Sequence, residues 1–111
     1  MCGLAGVADL AGRPVDRELL ARMTGVLAHR GPDGQGLHAD GPVGLGHRRL
    51  AIIDLATGAQ PMASPDGRLW IVFNGEIYNF RELRADLERR GGWQFRTGSD
   101  TEVILAAYAA W

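Results

Sequence analysis

Lysine is missing from this chain, and all twelve of its permanently cationic side chains are arginine. They are scattered along the sequence and balanced by thirteen carboxylates, for a formal net charge of −1. That balance leaves no electrostatic footprint for nucleic acid or for an anionic membrane surface. The arginine bias therefore reads as a habit of the source genome rather than as phosphate recognition. Cysteine is nearly as scarce. A single one, Cys2, excludes an internal disulfide and suits a reducing compartment, so the cytoplasm is the expected location. No stretch approaches the ~20 apolar residues that a membrane helix needs. The amino terminus has no basic segment and Asp9 interrupts its short apolar run, which argues against a secretory signal. Internal repeats, low-complexity linkers and a glycine-rich phosphate loop are also absent.

What is present is the composition of an ordinary folded domain. Hydrophobic residues make up 46% of 111 positions, enough for a moderate core. Residues 3–10 are small and apolar and predict a buried strand. Residues 16–28 predict a helix capped by Asp16, with Leu19, Leu20, Met23, Val26 and Leu27 on one face and Gly31 and Pro32 ending it. Val43, Leu45 and His47 alternate with glycines, residues 50–55 (LAIIDL) read as a buried strand, and residues 64–67 as a turn before a strand over 69–73. Asn79 with Glu82 predicts a capping box opening a helix to Arg90, with Phe80, Leu83 and Leu87 as its buried stripe. Ser99 with Glu102 predicts a second capping box, followed by a helix with Val103, Ile104, Ala107, Tyr108 and Trp111 on its apolar side. That last helix carries no stop signal, so the chain reads as the front part of something longer.

Chemistry concentrates in five segments. Cys2 stands one residue from the amino terminus, and methionine is usually removed before a small residue. A terminal cysteine would carry a thiol (pKa ~8.5) beside its own α-amine (pKa ~8), a nucleophile with a built-in base; the alternative is a small buried hydrophobe. Residues 29–34 (HRGPDG) form a helix exit that, read as a simple cap and turn, leaves Arg30 and Asp33 without a role. Arg48 and Arg49 abut a strand, suited either to forking a carboxylate or to a structural ion pair. Asn74 and Gly75 read either as a two-residue hairpin turn or as amide donors for an oxyanion. Asp100, in the first turn of the last helix, either complements the helix dipole or binds an ammonium. An arginine for an α-carboxylate, an aspartate for an α-ammonium, a thiol nucleophile and amide donors for acyl transfer from a carboxamide together describe a site for glutamine.

The ordered set MCGLAGV, HRGPDG, GHRRLAIIDL, GAQPM, FNGEIYNFRELR and SDTEVILAAYAAW resembles the amino-terminal glutaminase domain of the glutamine-hydrolysing asparagine synthetases, class II glutamine amidotransferases of the N-terminal nucleophile superfamily. The resemblance runs the full length of the chain. It implies an α+β fold, the first part of a four-layer αββα sandwich, with residues 1–111 as a glutaminase domain that continues in the family and is followed by a synthetase domain absent here. By the same resemblance Cys2 is the nucleophile, and Arg49 holds the glutamine carboxylate. The backbone of Leu50, Ala51, Ile52 and Ile53 lines the pocket, Asn74 and Gly75 form the oxyanion hole, and Glu76 and Asp100 engage the amino group. Arg30 is expected near the nucleophile. The family implies L-glutamine as substrate, ATP, Mg²⁺ and aspartate in the synthetase domain with no cofactor or metal in this chain, and a homodimer for the full-length form. A related amidotransferase with another acceptor, or a non-catalytic glutamine-binding module, are the competing readings.

Overall fold

The computed structural model describes residues 2–51 and 56–111. Its first half is an antiparallel sheet of β1 (Gly3–Ala8), β2 (Gly34–Asp40) and β3 (Val43–Arg49), ordered β1-β3-β2, with α1 (Arg17–Gly25) packed against it. Gly3 pairs with Arg48 and Gly34 with Arg49, so both outer strands meet β3 at its carboxyl end. A two-stranded antiparallel sheet, β4 (Met62–Ala63) and β5 (Trp70–Ile71), follows. Two helices, α2 (Phe80–Arg90) and α3 (Asp100–Ala110), pack on each other. The expected α+β class with antiparallel sheets is what these elements build.

Helix α1 shows why apolar spacing alone misplaced its buried face. Asp16 caps it as expected, accepting from the Glu18 and Leu19 amides at 2.9 and 3.2 Å. Its buried residues are Leu20 and Thr24, whereas Leu19 is exposed and Val26 is 72% exposed. The cause lies in β3. A Cβ at Gly46 would collide with the Thr24 hydroxyl, so the missing side chain lets α1 settle against the strand. Thr24 returns its own hydroxyl to the Leu20 carbonyl at 2.8 Å, which satisfies the polar group in a dry contact. The helix also ends sooner than residue 28: tight turns, such as the Arg30 amide to the Leu27 carbonyl at 2.9 Å, carry the chain onward.

The second half gathers around Leu87, Val103 and Ala106, with Phe80, Leu83, Trp93, Phe95 and Ala107 packed on them. This bears out the α2 stripe. On α3 the buried residues are Asp100 to Val103, Leu105 and Ala106, while Tyr108 and Trp111 are exposed. Apolar residues surround that helix almost completely, so its sequence period does not select a face. Neither capping box closes. Asn79 makes no side-chain cap bond. Ser99 caps α3 through the Thr101 amide at 3.1 Å, but Glu102 turns away to residues 93–97. Strand β5 is shorter than residues 69–73. The strand expected over 50–55 falls mostly outside the described residues, and Leu50 and Ala51 belong to no strand.

Candidate active site

Five separate stretches meet at a cleft of about 330 Å³. Cys2 comes from just before β1, Arg49 and Leu50 from the end of β3, Gly58 and Gln60 from the connection before β4, Phe73, Asn74, Gly75, Glu76 and Tyr78 from the stretch after β5, and Ser99, Asp100 and Thr101 from the start of α3. Of the residues expected from sequence, Cys2, Arg49, Leu50, Asn74, Gly75, Glu76 and Asp100 all face this one cleft. Ala51 follows directly but is not among the lining residues. Ile52, Ile53 and Met1 lie outside the described residues. Arg30 is exposed and does not line the cleft.

Register explains the thiol's position. Pairing of Gly3 with Arg48 carries Cys2 alongside Arg49 at the end of β3. The Cys2 Sγ, half-buried, accepts the Leu50 amide at 3.2 Å and lies 3.5 Å from the Leu50 carbonyl. The Leu50 segment is held in turn by residues 29–34. The Asp33 amide donates to the Arg49 carbonyl and its carboxylate accepts the Ala51 amide, both at 2.9 Å. Arg48 reaches the Gly31 carbonyl at 2.9 Å and the Gln35 side-chain oxygen at 2.8 Å. The two adjacent arginines therefore divide their work: Arg48 latches the loop, and Arg49 lines the cleft.

Opposite them, residues 73–77 form an open turn, not a hairpin. Among the described residues Asn74 and Gly75 do not join two paired strands, because β5 pairs backward with β4 and the chain continues into α2. Gly75 packs against the Phe73 ring, and a Cβ there would come within 2.8 Å of the ring tip, which would have to shift. Asp100, only 6% exposed, accepts the Ile77 amide at 2.9 Å. That bond uses one of several acceptor positions on the carboxylate. The cleft thus combines a thiol, a guanidinium and two carboxylates with the amides of a turn.

Beneath the cleft, His47 is 1% exposed and neither ring nitrogen has a hydrogen-bond partner among the described residues. Burial holds its pKa below the ordinary histidine value; the Phe73 backbone, close by but short of a hydrogen bond, opposes this, and the charge of Arg49 adds to it. The ring is accordingly a neutral packing element at working pH.

Sequence reasoning missed Gln60, Phe73, Tyr78, Ser99 and Thr101 as parts of this wall. Phe73 opens FNGEIYN, one of the five segments singled out, and Gln60 lies in GAQPM, which entered only through the family resemblance, so a signal existed. It gave no direction, because both act on residues more than ten positions away.

Comparisons with known proteins agree with this geometry. A family model described as a glutamine amidotransferase domain matches residues 1–111. Asparagine synthetase [glutamine-hydrolyzing] 1 of Bacillus subtilis is 50% identical over 111 residues, covering 97% of this chain and 17% of that protein. Asparagine synthetase B [glutamine-hydrolyzing] of Escherichia coli is 42% identical over 109 residues, covering 97% of this chain and 19% of that protein. In Arabidopsis thaliana the corresponding figures for asparagine synthetase [glutamine-hydrolyzing] 1 are 42%, 97% and 18%. The chain spans less than a fifth of the length of these relatives. Among the described residues no helix is long and apolar enough to cross a membrane. With a family match over every residue and a cleft that collects a thiol, an arginine and two carboxylates, the chain belongs to the glutamine amidotransferase domain family.

Proposed function

We propose that Cys2, made amino-terminal by removal of Met1, hydrolyses glutamine. Its α-amine takes the thiol proton, and Sγ attacks the side-chain carbonyl carbon of glutamine. The Asn74 side-chain amide and the Gly75 backbone amide stabilise the oxyanion that forms. The tetrahedral intermediate collapses with cleavage of the C–N bond, and the amine returns its proton to the departing nitrogen as ammonia leaves. Water then hydrolyses the γ-glutamyl thioester to glutamate and regenerates the thiol. Arg49 binds the α-carboxylate in a bidentate fork, Glu76 and Asp100 bind the α-ammonium, and the backbone of residues 50–53 completes the pocket. In a protein of the relatives' length the ammonia would serve ATP- and Mg²⁺-dependent conversion of aspartate to asparagine, chemistry for which no residue of this chain is assigned. The surrounding fold would be the first part of the four-layer αββα sandwich.

The observation that supports this most directly is the convergence of Cys2, Arg49, Asn74, Gly75, Glu76 and Asp100, from distant points of the chain, on one cleft. The test uses a glutamine analogue with an electrophilic ketone in place of the carboxamide, added to the full-length protein. One adduct on Cys2, blocked by excess glutamine, is expected, and Cys2→Ala should abolish glutamate release while leaving ammonia-dependent synthesis intact. Glutamine-dependent turnover surviving in Cys2→Ala would overturn the assignment. Retention of Met1 should be nearly as damaging, because it moves the basic amine one residue away from the thiol.

A further inference from the structure

The turn that carries Asn74, Gly75 and Glu76 is tied down at both ends by backbone amides donated to side chains of other segments. At its far end the Ile77 amide donates to Asp100 at 2.9 Å. At its near end the Phe73 amide donates to the Gln60 side-chain oxygen at 2.6 Å. The two anchors are themselves joined, because the Gln60 side-chain nitrogen donates to the Thr101 hydroxyl at 3.1 Å and Thr101 directly follows Asp100. The result is a closed circuit: Gln60, Phe73, the turn, Ile77, Asp100, Thr101 and back to Gln60.

Three packing facts make the circuit stiff. Thr101 is 2% exposed, so the far end of the glutamine amide rests on a fixed wall. The Phe73 ring lies against Gly75, where a Cβ would come 2.8 Å from the ring tip and push it aside, so Phe73 and the turn bear directly on each other. The Gln60 backbone is also held, since its carbonyl occupies the place a Cβ on Gly36 would take.

We propose that Gln60 is a positioning residue for glutamine hydrolysis. Its side-chain amide acts through the Phe73 amide to aim the Asn74 and Gly75 donors at the developing oxyanion, and through Thr101 it couples that aim to the segment bearing Asp100. A carboxamide suits this role because its oxygen faces a backbone donor while its nitrogen faces a hydroxyl acceptor, so both bonds form without burying a charge. Small errors in donor placement matter because oxyanion stabilisation depends on preorganised geometry. This inference rests on the glutaminase reading above.

The effect belongs in kcat, because the donors act on the transition state while Arg49 holds the ground state. In the full-length protein, Gln60→Ala should lower kcat for glutamine by roughly 10–100-fold, with KM changed less than about threefold. Thr101→Val should lose part of the same kcat and Thr101→Ser should recover most of it. The double variant Gln60→Ala with Thr101→Val should be no worse than Gln60→Ala alone, as expected of groups acting as one unit. Alkylation of Cys2 by iodoacetamide should proceed at the parent rate, and amide hydrogen exchange at Phe73 should quicken in Gln60→Ala. A parent that hydrolyses glutamine while Gln60→Ala keeps its full kcat overturns the positioning role alone. So does an effect confined to KM, or fully additive losses in the double variant. A parent with no glutamine hydrolysis overturns the glutaminase reading, and this inference falls with it.

Discussion

Glu102 is the side chain on which the start of α3 depends, and its replacement is the sharpest test of how the site is built. It is 2% exposed, and its two oxygens gather donors from one loop. Oε2 accepts the Thr97 amide at 2.8 Å, the Thr97 hydroxyl at 2.6 Å and, more weakly, the Arg96 amide at 3.3 Å. Oε1 accepts the Arg96 amide at 3.0 Å and the Trp93 indole at 3.2 Å. The Thr97 hydroxyl in turn accepts the Ser99 amide at 3.1 Å, so the carboxylate is one link from the helix cap and two residues from Asp100. In Glu102→Gln the best placement keeps oxygen at the Oε2 position. The NH₂ then confronts the Trp93 and Arg96 donors, and two bonds to a charged acceptor are lost. At about 1.5–3 kcal/mol each the gross loss is roughly 3–6 kcal/mol. Relief from burying a charge returns part of it, leaving a net of about 2–4 kcal/mol.

For a domain near this size each kcal/mol moves Tm by about 4–8 °C, so the variant should melt roughly 10 °C or more below the parent. Burial pushes the Glu102 carboxyl upward, but the donors from Thr97, Arg96 and Trp93 outweigh it and hold the folded pKa below the ordinary glutamate value. The sign follows from linkage: the stabilisation is complete above the unfolded pKa of about 4.3 and is lost as pH falls through the lower folded value. Glutamine does not titrate, so the parent–variant gap should be full at neutral pH and narrower near pH ~3.5. Glu102 does not line the cleft, so kcat per folded molecule should stay within about threefold. Calorimetry of both proteins across this pH range reads all of it. A Tm within about 2 °C of the parent at neutral pH, or a gap that stays constant on acidification, refutes the reasoning.

Arg49→Lys keeps the charge but loses the planar fork, so KM for glutamine should rise by roughly 10-fold or more with kcat less affected. Asp100→Asn should raise KM similarly, because the neutral amide can still meet the Ile77 amide but cannot neutralise an ammonium. Unchanged KM in both variants would return these residues to purely structural roles. Asn74→Ala should cost about 2.7–4 kcal/mol of transition-state stabilisation, or roughly 10²–10³ in kcat. If Asn74 serves only the turn, Tm falls instead and the rate per folded molecule is preserved, so the two measurements taken together decide.

The site was more legible in the sequence than its scaffold, and the reason is local. Cys2, the Arg48–Arg49 pair, Asn74, Gly75 and Asp100 stand out because they are polar or backbone-exposing residues at the ends of apolar segments, where a buried chain has no need of them; Glu76, and the choice of Arg49 over Arg48, came only with the family resemblance. Strand β2 was invisible for the opposite reason. Residues 34–40 hold two glycines and no β-branched residue, and they form a strand because β3 offers an edge and Gly41, at φ +53°, closes the turn between them. Glu102 matched the spacing of a capping box, yet its carboxylate found four donor groups in residues 93–97 and had no reason to turn back. Leu19 and Val26 satisfied a helical period, but two glycines on β3 drew α1 in over Leu20 and Thr24. Each of these outcomes was decided by a partner outside the segment itself: the next strand of a hairpin for β2, a loop five to nine residues back for Glu102, and β3 for α1. A segment's own pattern carries no information about such a partner.

The same long-range logic unifies the candidate site. Four of its fastenings share one form, a backbone amide donated to a side chain from another segment. The Leu50 amide reaches Cys2, the Ala51 amide reaches Asp33, the Phe73 amide reaches Gln60 and the Ile77 amide reaches Asp100. Apart from Cys2 itself, the acceptors are carboxylates or a carboxamide on chain segments already pinned by the sheet, by the loop packed on Gly36, or by α3. With the Phe73 and Ile77 amides held in this manner, the proposed donors at Asn74 and Gly75 lie on a turn fixed at both ends. That is the condition under which a donor stabilises a transition state more than a ground state. This form of fastening also gives Asp33, whose segment does not line the cleft, and Gln60, which does, the same task of holding a backbone amide of the cleft wall or of the residue beside it.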